Sequence, residues 1–448
     1  MQLCEGYEEE RNASRETLVH VCRRWRYIVF AAPRRLGLRL VCTNGTRVKE
    51  MLDIWPALPI ELRMDDPHYF NEDNAIATLG HPGRICGIYV QNSDEDSFER
   101  FAAAMQVSFP ALTDLSLWSF CCEPPTLPDS FLGGSALGLR LLDLKGVAAP
   151  GLPKLLRSTP NIVRLQLEDI PLSGFDSPYV MVDCLPSLTR LEYLRIVFSL
   201  YHIPDQTSLR PPPPTRTILP ELNSLSFQGT SEYLEILFTW IDAPLHDHIY
   251  IDFVNPVIFD VPRISLFNAR DELLQTPDQA HMHFNHSHLH VTLSSSKGTT
   301  CGASLQLSFK YRDFAWQLLF LSQSRSRFSP FLDFSSGRLD DGELKRSQLW
   351  TNEMENTQWL QLLHCFAGVE NLYLSEGVAL SIVPALRELA AREDGVGVLP
   401  ALKSLFIEKL GSSNSAPLLE IIGLGELVFA REFTGHPIVV QRWKEESR

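Results

Sequence analysis

One short pattern recurs along the chain and constrains its fold more than any other feature: a proline followed by x-Leu-x-x-Leu-x-Leu. In some copies another apolar residue replaces a leucine. Four copies are clear, and they span Pro110–Leu117, Pro160–Leu167, Pro220–Phe227 and Pro400–Ile407. Three weaker copies lack the proline or are shifted, and they begin at Leu139, Leu188 and Val369. A single copy could arise by chance in a leucine-rich protein, but this series indicates an internal repeat.

The spacing of the leucines predicts how each copy folds. Leu-x-Leu places two side chains on one face of a short strand, and the leucine three residues upstream packs beneath it. One such strand cannot bury its apolar face alone, whereas stacked copies form a parallel sheet with a continuous core. Successive key leucines are 23 to 31 residues apart between positions 115 and 225, close to the period of leucine-rich repeats. We therefore expect an α/β fold, an irregular leucine-rich-repeat-like solenoid with a parallel sheet and helices on its convex side.

The repeat is not uniform along the chain. It is clearest over residues 105–230 and 366–410, and it fades between about 243 and 357. Within that interval, residues 248–259 and 281–293 alternate like ordinary strands. Apolar spacing predicts helices over 358–366 and 378–391.

Composition and charge exclude several classes of function. The net charge of −14 argues against nucleic-acid binding by the whole chain. No apolar run is long enough to span a membrane, and the N-terminal residues are acidic and polar, unlike a secretory signal. The nine cysteines include no CxxC pair, so neither a zinc knuckle nor a redox dithiol is indicated. We expect a soluble protein of the cytoplasm, the nucleus or both, with neither nucleic acid nor membrane as a partner.

An amphipathic helix is predicted near the N-terminus. Residues 16–30 place apolar side chains on one face, and several arginines lie mostly off that stripe. The surrounding segment 17–49 carries eight basic residues and no acid; we interpret it as a solvated face that balances the acidic remainder. The stripe consists of Leu18, Val21, Cys22, Trp25, Ile28 and Val29.

The residues Val21-Cys-Arg-Arg-Trp-Arg-Tyr-Ile28, followed by Pro33-Arg-Arg-Leu36, resemble the second half of an F-box. The form is similar to that in basidiomycete F-box proteins with irregular leucine-rich-like repeats. Residues Glu370–Gly377 and Phe429–Trp443 also resemble that family, so the likeness covers nearly the whole chain. The preceding residues, MQLCEGYEEERNASRET, do not match the Leu-Pro-x-Glu segment that opens a complete F-box. The resemblance therefore implies an F-box that is truncated at its N-terminus.

The resemblance implies that two segments of the chain have different roles. Residues 1–40 would be a partial F-box-like helical segment, and residues 41–448 the repeat domain. The family docks on the Skp-type adaptor of an SCF-type cullin-RING ubiquitin ligase and presents an unknown protein substrate. The adaptor-binding residues would be Leu18, Val21, Cys22, Trp25 and Ile28. An equally weighted alternative is that this helix caps the open edge of the first repeat. Further alternatives are a free-standing repeat scaffold or a degenerate F-box protein without adaptor binding.

The sequence shows no motif that supports catalysis or cofactor binding. It contains no phosphate loop, no dinucleotide fingerprint and no Gly-x-Ser-x-Gly elbow. The histidine-rich stretch His281–His290 could hold a metal, although we favour a strand of a meander that contributes core contacts. We therefore predict a non-catalytic protein without cofactor or metal; an enzyme with residues from distant segments is the alternative from another class.

Binding is expected on the concave side of the repeat sheet or on loops at one rim. The candidate residues are the variable positions that flank the strand leucines, because alternation turns them away from the core. They are Asp114, Ser116, Arg164, Gln166, Ser224, Ser226, Tyr373, Ser404 and Phe406.

Overall fold

The protein divides into two compact units, Met1–Glu221 and Leu222–Arg448. Within them, the computed structural model describes residues 23–24, 39–54, 58–66, 68–171, 175, 177–198, 216–243, 248–253, 279–284, 288–294, 304–310, 331–336, 359, 363, 369–374, 379, 382–387, 399–408, 424–433 and 435–443.

Seven parallel strands form the sheet of the first unit, and they lie side by side in chain order. The repeat copies at 110, 139, 160 and 188 each contribute one strand, so the predicted parallel repeat sheet is confirmed. Three of these strands, β1 to β3, are not marked by any copy of the repeat. The strands are β1 (Leu40–Cys42), β2 (Ile60–Met64), β3 (Ile85–Asn92), β4 (Asp114–Ser119), β5 (Leu141–Lys145), β6 (Arg164–Glu168) and β7 (Tyr193–Val197), with a two-residue strand β8 (Thr217–Ile218) after them.

Short helices and turns connect these strands, and several helices that are neighbours in sequence contact one another. Asn71 and Asp94 cap two of the helices, because their side-chain oxygens accept hydrogen bonds from the backbone N–H groups three residues later. The helices are α1 (Val48–Ile54), α2 (Glu72–Leu79), α3 (Glu95–Ala104), α4 (Leu152–Arg157) and α5 (Pro178–Cys184), with 3-10 turns at Phe131–Gly134 and Leu185–Ser187.

The strand leucines stack into ladders that run across the sheet. In one ladder, Leu115, Leu142, Leu165 and Leu194 are register partners on successive strands, and all four are fully buried. A second ladder lies two residues further along each strand, and its members are at most 3% exposed: Leu117, Leu144, Leu167 and Ile196. This burial of every second residue is the main source of stability for the sheet.

The turn after β5 depends on a glycine. Gly146 has φ +62°, and a Cβ at this position would lie 2.5 Å from the carbonyl oxygen of Ser119. Its N–H donates to the carbonyl oxygen of Glu168 on the next repeat, at 2.9 Å. Glycine is thus required both for the backbone conformation and for the close approach of neighbouring repeats.

The sheet of the second unit has parallel strands at both ends and an antiparallel meander between them. The lateral order is β9-β11-β14-β13-β12-β15-β16-β17-β18. Its strands are β9 (Ser224–Gly229), β10 (Ile241–Asp242, outside this sheet), β11 (His248–Phe253), β12 (Gln279–Phe284), β13 (His288–Ser294), β14 (Ser304–Lys310), β15 (Phe331–Ser336), β16 (Asn371–Leu374), β17 (Ser404–Glu408) and β18 (Val439–Trp443). Its helices are α6 (Ser231–Trp240) and α7 (Leu424–Phe433), and residues 382–387 are also helical.

The meander explains why the repeat pattern fades in the middle of the chain. Strands β12, β13 and β14 pair antiparallel, with β12 pairing parallel to β15 on its other side. The strands predicted within 248–259 and 281–293 are confirmed. Antiparallel neighbours need only a tight connection and not a helical crossover, so this stretch departs from the regular parallel repeat, as its strand-like alternation indicates.

We expect Leu142→Ala to destabilise the first unit by about 2–5 kcal/mol, because Leu142 is fully buried within the ladder and its truncation leaves a cavity. Urea unfolding monitored by circular dichroism measures this change. Leu137→Ala is the matched control, since Leu137 is 65% exposed and should change stability by less than about 0.5 kcal/mol. Equal effects of the two substitutions would contradict the burial ladder.

Candidate partner-binding face

The side of the first sheet opposite to the leucine ladders presents half-buried polar and aromatic side chains. Because the strands are in register, these side chains form lateral rows. We call this surface the outward face. On β4 to β7 its rows are Asp114–Leu141–Arg164–Tyr193, Ser116–Asp143–Gln166–Arg195 and Trp118–Lys145–Glu168–Val197, and on β2 and β3 it includes Glu61, Arg63 and Tyr89.

Most of the predicted binding residues lie where alternation places them. Those of the first unit are half-buried members of the outward face: Asp114, Ser116, Arg164 and Gln166. Those of the second unit that are half-buried on their own strands are Ser224, Tyr373, Ser404 and Phe406. The predicted exposure is wrong for Ser226, because this residue is only 5% exposed. Leu225, Ser226 and Phe227 are buried in succession, so both sides of β9 are covered at its centre.

A buried glutamate organises the part of the outward face on β2 and β3. The Glu61 side chain is 6% exposed and accepts hydrogen bonds from two arginines, Arg39 at 2.7 Å and Arg63 at 2.6 Å. The Arg63 guanidinium also lies over the ring of Tyr89, 5.2 Å from its centroid. Burial raises the pKa of the Tyr89 phenol above its usual range. One carboxylate therefore holds two cations in fixed positions, and a ring supports one of them.

A second shared carboxylate lies on β6. Glu168 pairs with Lys145 at 2.5 Å and with Arg195 at 3.5 Å. The Lys145 ammonium is also 5.9 Å from the ring centroids of both Trp118 and Phe120. Phe120 follows β4 and is 47% exposed. Aromatic rings and cations are thus held together at the carboxyl ends of β4 and β5.

Asp143 is the acidic group at the centre of the outward face. Burial raises the pKa of its carboxyl, while nearby Trp118 and Ser116 partly oppose that shift. The Ser116 hydroxyl donates to Asp143 at 3.4 Å. The Trp118 indole lies near enough to favour the charged carboxylate, but it is outside regular hydrogen-bond geometry. Burial therefore favours the neutral form of a residue on the face that would meet a partner.

Arg164 is held differently from the other cations of the outward face. Its guanidinium lies over the ring of Tyr193 on the neighbouring strand, 5.1 Å from the centroid. Within the described part of the chain, no carboxylate lies within ion-pair distance of Arg164. The ring holds the guanidinium in place but does not neutralise its positive charge, as a carboxylate would.

In the second unit, two predicted residues form an aromatic stack. Tyr373 on β16 and Phe406 on β17 are register partners, with ring centroids 4.3 Å apart and planes 8° from parallel. Beside them, Lys403 pairs with Glu370 at 2.8 Å. The stack brings together two residues that the sequence places in copies more than thirty positions apart.

Several predicted features lie outside the described residues, including Leu18, Val21, Cys22, Trp25 and Ile28. The neighbouring Arg23 and Arg24 are described, and they are helical and exposed. The His281–His290 stretch supplies the paired strands β12 and β13, as the meander interpretation predicts. Among the residues that the structure describes, no group of three or more metal-ligating side chains comes together.

Sequence reasoning missed the residues that organise the outward face. Glu61, Arg63 and Tyr89 lie on strands that no repeat copy marks. Asp143, Lys145, Glu168 and Arg195 do lie within or beside the recognised copies. The same alternation could have found them, because they occupy the variable positions of the repeat.

Comparisons with known proteins identify no family for this chain. No protein-family model matches the chain, and the comparison with curated proteins gives no match. Among solved structures, the chain is similar to the leucine-rich repeat-containing protein LegL7 from Legionella pneumophila. The two share 12% identity, 92% of each chain is covered, and the TM-score is 0.22. The irregular leucine-rich-repeat-like architecture therefore rests on the strands and ladders of this chain. No helix in the described residues is long and apolar enough to cross a membrane.

We expect Asp143→Asn to stabilise the protein more at neutral pH than in acid. Burial raises the pKa of Asp143 above its ordinary value of 3.8 in the folded state. The Asp143 carboxyl therefore contributes its full stabilisation below pH 3.8, and this stabilisation is lost as the pH rises through the pKa of the folded protein. The asparagine keeps an acceptor for Ser116 and carries no charge. Urea unfolding of the unsubstituted protein and of the Asp143→Asn variant, from acid to neutral pH, measures the difference in their free energies of unfolding. A stability difference independent of pH, or largest in acid, would contradict the assignment.

Proposed function

We propose that the chain is a non-catalytic protein-binding repeat protein whose partner contacts the outward face. One observation carries the proposal: tryptophan, tyrosine and arginine side chains are clustered on an otherwise regular sheet face and are held by one another. Trp118 lies beside Lys145, Tyr89 beneath Arg63, and Tyr193 beneath Arg164.

These residue types dominate the binding energy of protein interfaces, because they combine a large contact area with directional polar groups. Their mutual contacts also reduce the conformational entropy that binding would otherwise cost. A row of positions on adjacent strands suits an extended partner surface better than a small molecule, which is usually held in an enclosed pocket. The geometry therefore favours recognition of a protein.

We further propose that the chain acts as a substrate receptor of an SCF-type cullin-RING ubiquitin ligase. The support is the resemblance of residues 21–36 to the second half of an F-box. In this proposal Val21 and Trp25 belong to the surface for the Skp-type adaptor, and the outward face takes the substrate. Adaptor and substrate would then bind to separate segments of the chain.

A free-standing scaffold without a ligase is the second candidate. It is favoured by the outward face, whose paired cations and rings do not involve residues 21–36. In that case the helix predicted over residues 16–30 would cap the first repeat and would not bind an adaptor.

Affinity capture of the tagged full chain, with the captured proteins identified by mass spectrometry, tests both partner binding through the outward face and binding of the adaptor. We expect the double substitution Val21→Ala, Trp25→Ala to lose the Skp-type adaptor and retain the other captured proteins. We expect Trp118→Ala to do the reverse, since its large ring is lost from the outward face. Each loss should be about tenfold or more, as for an interface hot spot.

Phe433→Ala is the matched control, because Phe433 is 84% exposed on α7, outside the outward face. It should leave both sets of captured proteins unchanged. Absence of the adaptor from the unsubstituted chain would exclude the ligase role and leave the scaffold. An unchanged set of captured proteins with Trp118→Ala would contradict binding through the outward face.

A further inference from the structure

Three arginines lie at or just before the amino-terminal ends of the adjacent strands β5, β6 and β7, and we call them the arginine rim: Arg140, Arg164 and Arg190. Arg140 directly precedes β5, and its carbonyl oxygen accepts the N–H of Arg164, the first residue of β6, at 3.0 Å. Arg190 lies just before β7 and donates to the Asn161 side chain at 3.4 Å. The stacking of repeats therefore places three arginines that are far apart in sequence at the same end of adjacent strands.

The arginine rim, of which Arg164 alone belongs to the rows of the outward face, differs electrostatically from the other cations of that face. In the described part of the chain, Arg39 and Arg63 share Glu61, and Lys145 and Arg195 share Glu168. By contrast, none of the three rim arginines forms an ion pair within the described residues. The rim thus carries positive charge that the described protein does not neutralise.

Acidic residues also lie in the lateral rows of the rim, but none forms an ion pair with a rim arginine within the described residues. Exposed Glu192 lies in the same lateral row as Arg140, since its N–H bonds to the carbonyl oxygen of Val163. Asp114 lies in the lateral row of Arg164 but two strands away, and it accepts a hydrogen bond from Thr113 at 2.6 Å. The whole chain carries −14, so an anionic ligand is repelled by most of the protein and attracted to this region.

We propose that the arginine rim binds an acidic segment of the partner protein, with Arg164 as the anchor for a carboxylate. The inference rests on the proposed protein-binding function and names the chemistry of the partner. The Tyr193 ring covers one face of the Arg164 guanidinium, which leaves the edge of its planar fork for a bidentate pair with a carboxylate. Arg164 is half-buried, so such a pair is screened less than one between exposed side chains.

Fluorescence anisotropy of the full chain with two labelled peptides of equal length tests the proposal. One peptide alternates glutamate with serine, and the other alternates lysine with serine. We expect the glutamate peptide to bind more tightly, and its affinity to fall as salt rises. Arg164→Ala should weaken it about tenfold, since hydrogen bonds to charged groups are of that magnitude. The double substitution Arg140→Ala, Arg190→Ala should weaken it to a similar degree.

Two further variants distinguish a specific role of Arg164 in binding the peptide from a general effect of the net charge of the protein. Arg47→Ala removes an 82% exposed arginine that directly precedes α1 and should change the affinity less than about twofold. Tyr193→Leu keeps every charge but removes the ring beneath Arg164, so it should weaken binding of the glutamate peptide, although less than Arg164→Ala does. Circular dichroism confirms that each variant is folded.

Equal binding of the two peptides would overturn the proposal, and so would equal losses from Arg164→Ala and Arg47→Ala. Its failure is distinct from that of the proposed function. If the glutamate peptide does not bind while Trp118→Ala still abolishes capture of other proteins, the acidic chemistry is wrong and protein binding through the outward face stands. If both results are negative, both proposals fail.

Discussion

Everything described in the first unit depends on the burial of every second strand residue against the same residue of the next repeat. Leu142 lies between Leu115 and Leu165 in one ladder, and none of the three is exposed. A slip of one residue would turn these leucines to the solvent and the polar residues to the core, so the register is strongly specified. Once the ladder is fixed, the pairing of every outward residue is fixed as well.

The packing of the core therefore determines which side chains become neighbours on the outward face. Glu168 meets Lys145 and Arg195 because all three occupy variable positions of adjacent repeats. Tyr193 lies beneath Arg164 for the same reason. Such pairs give the surface fixed cations and rings, which is the property that protein recognition uses.

Periodicity predicts the part of the fold in which the repeat is regular. The copies at 110, 139, 160 and 188 give β4 to β7, and alternation also places Asp114, Ser116, Arg164 and Gln166 on the outward face. It fails for Ser226, because alternation describes one strand and not what covers its second side. It also misses β2 and β3, which form the same parallel sheet without the leucine spacing. The sharing of Glu61 between Arg39 and Arg63 joins two segments of the chain and requires tertiary structure.

The most direct test of the central claim is the reactivity of single cysteines introduced along β4 and β6, read by mass spectrometry with and without a captured partner. Ser116→Cys and Gln166→Cys lie on the outward face, Leu115→Cys and Leu165→Cys in the ladder, and Leu137→Cys at an exposed position outside both. The account predicts fast modification at 116, 166 and 137, slow modification at 115 and 165, and protection by the partner at 116 and 166 alone. Reactivity without this alternation, or protection at 137 with none at 116 and 166, would contradict it.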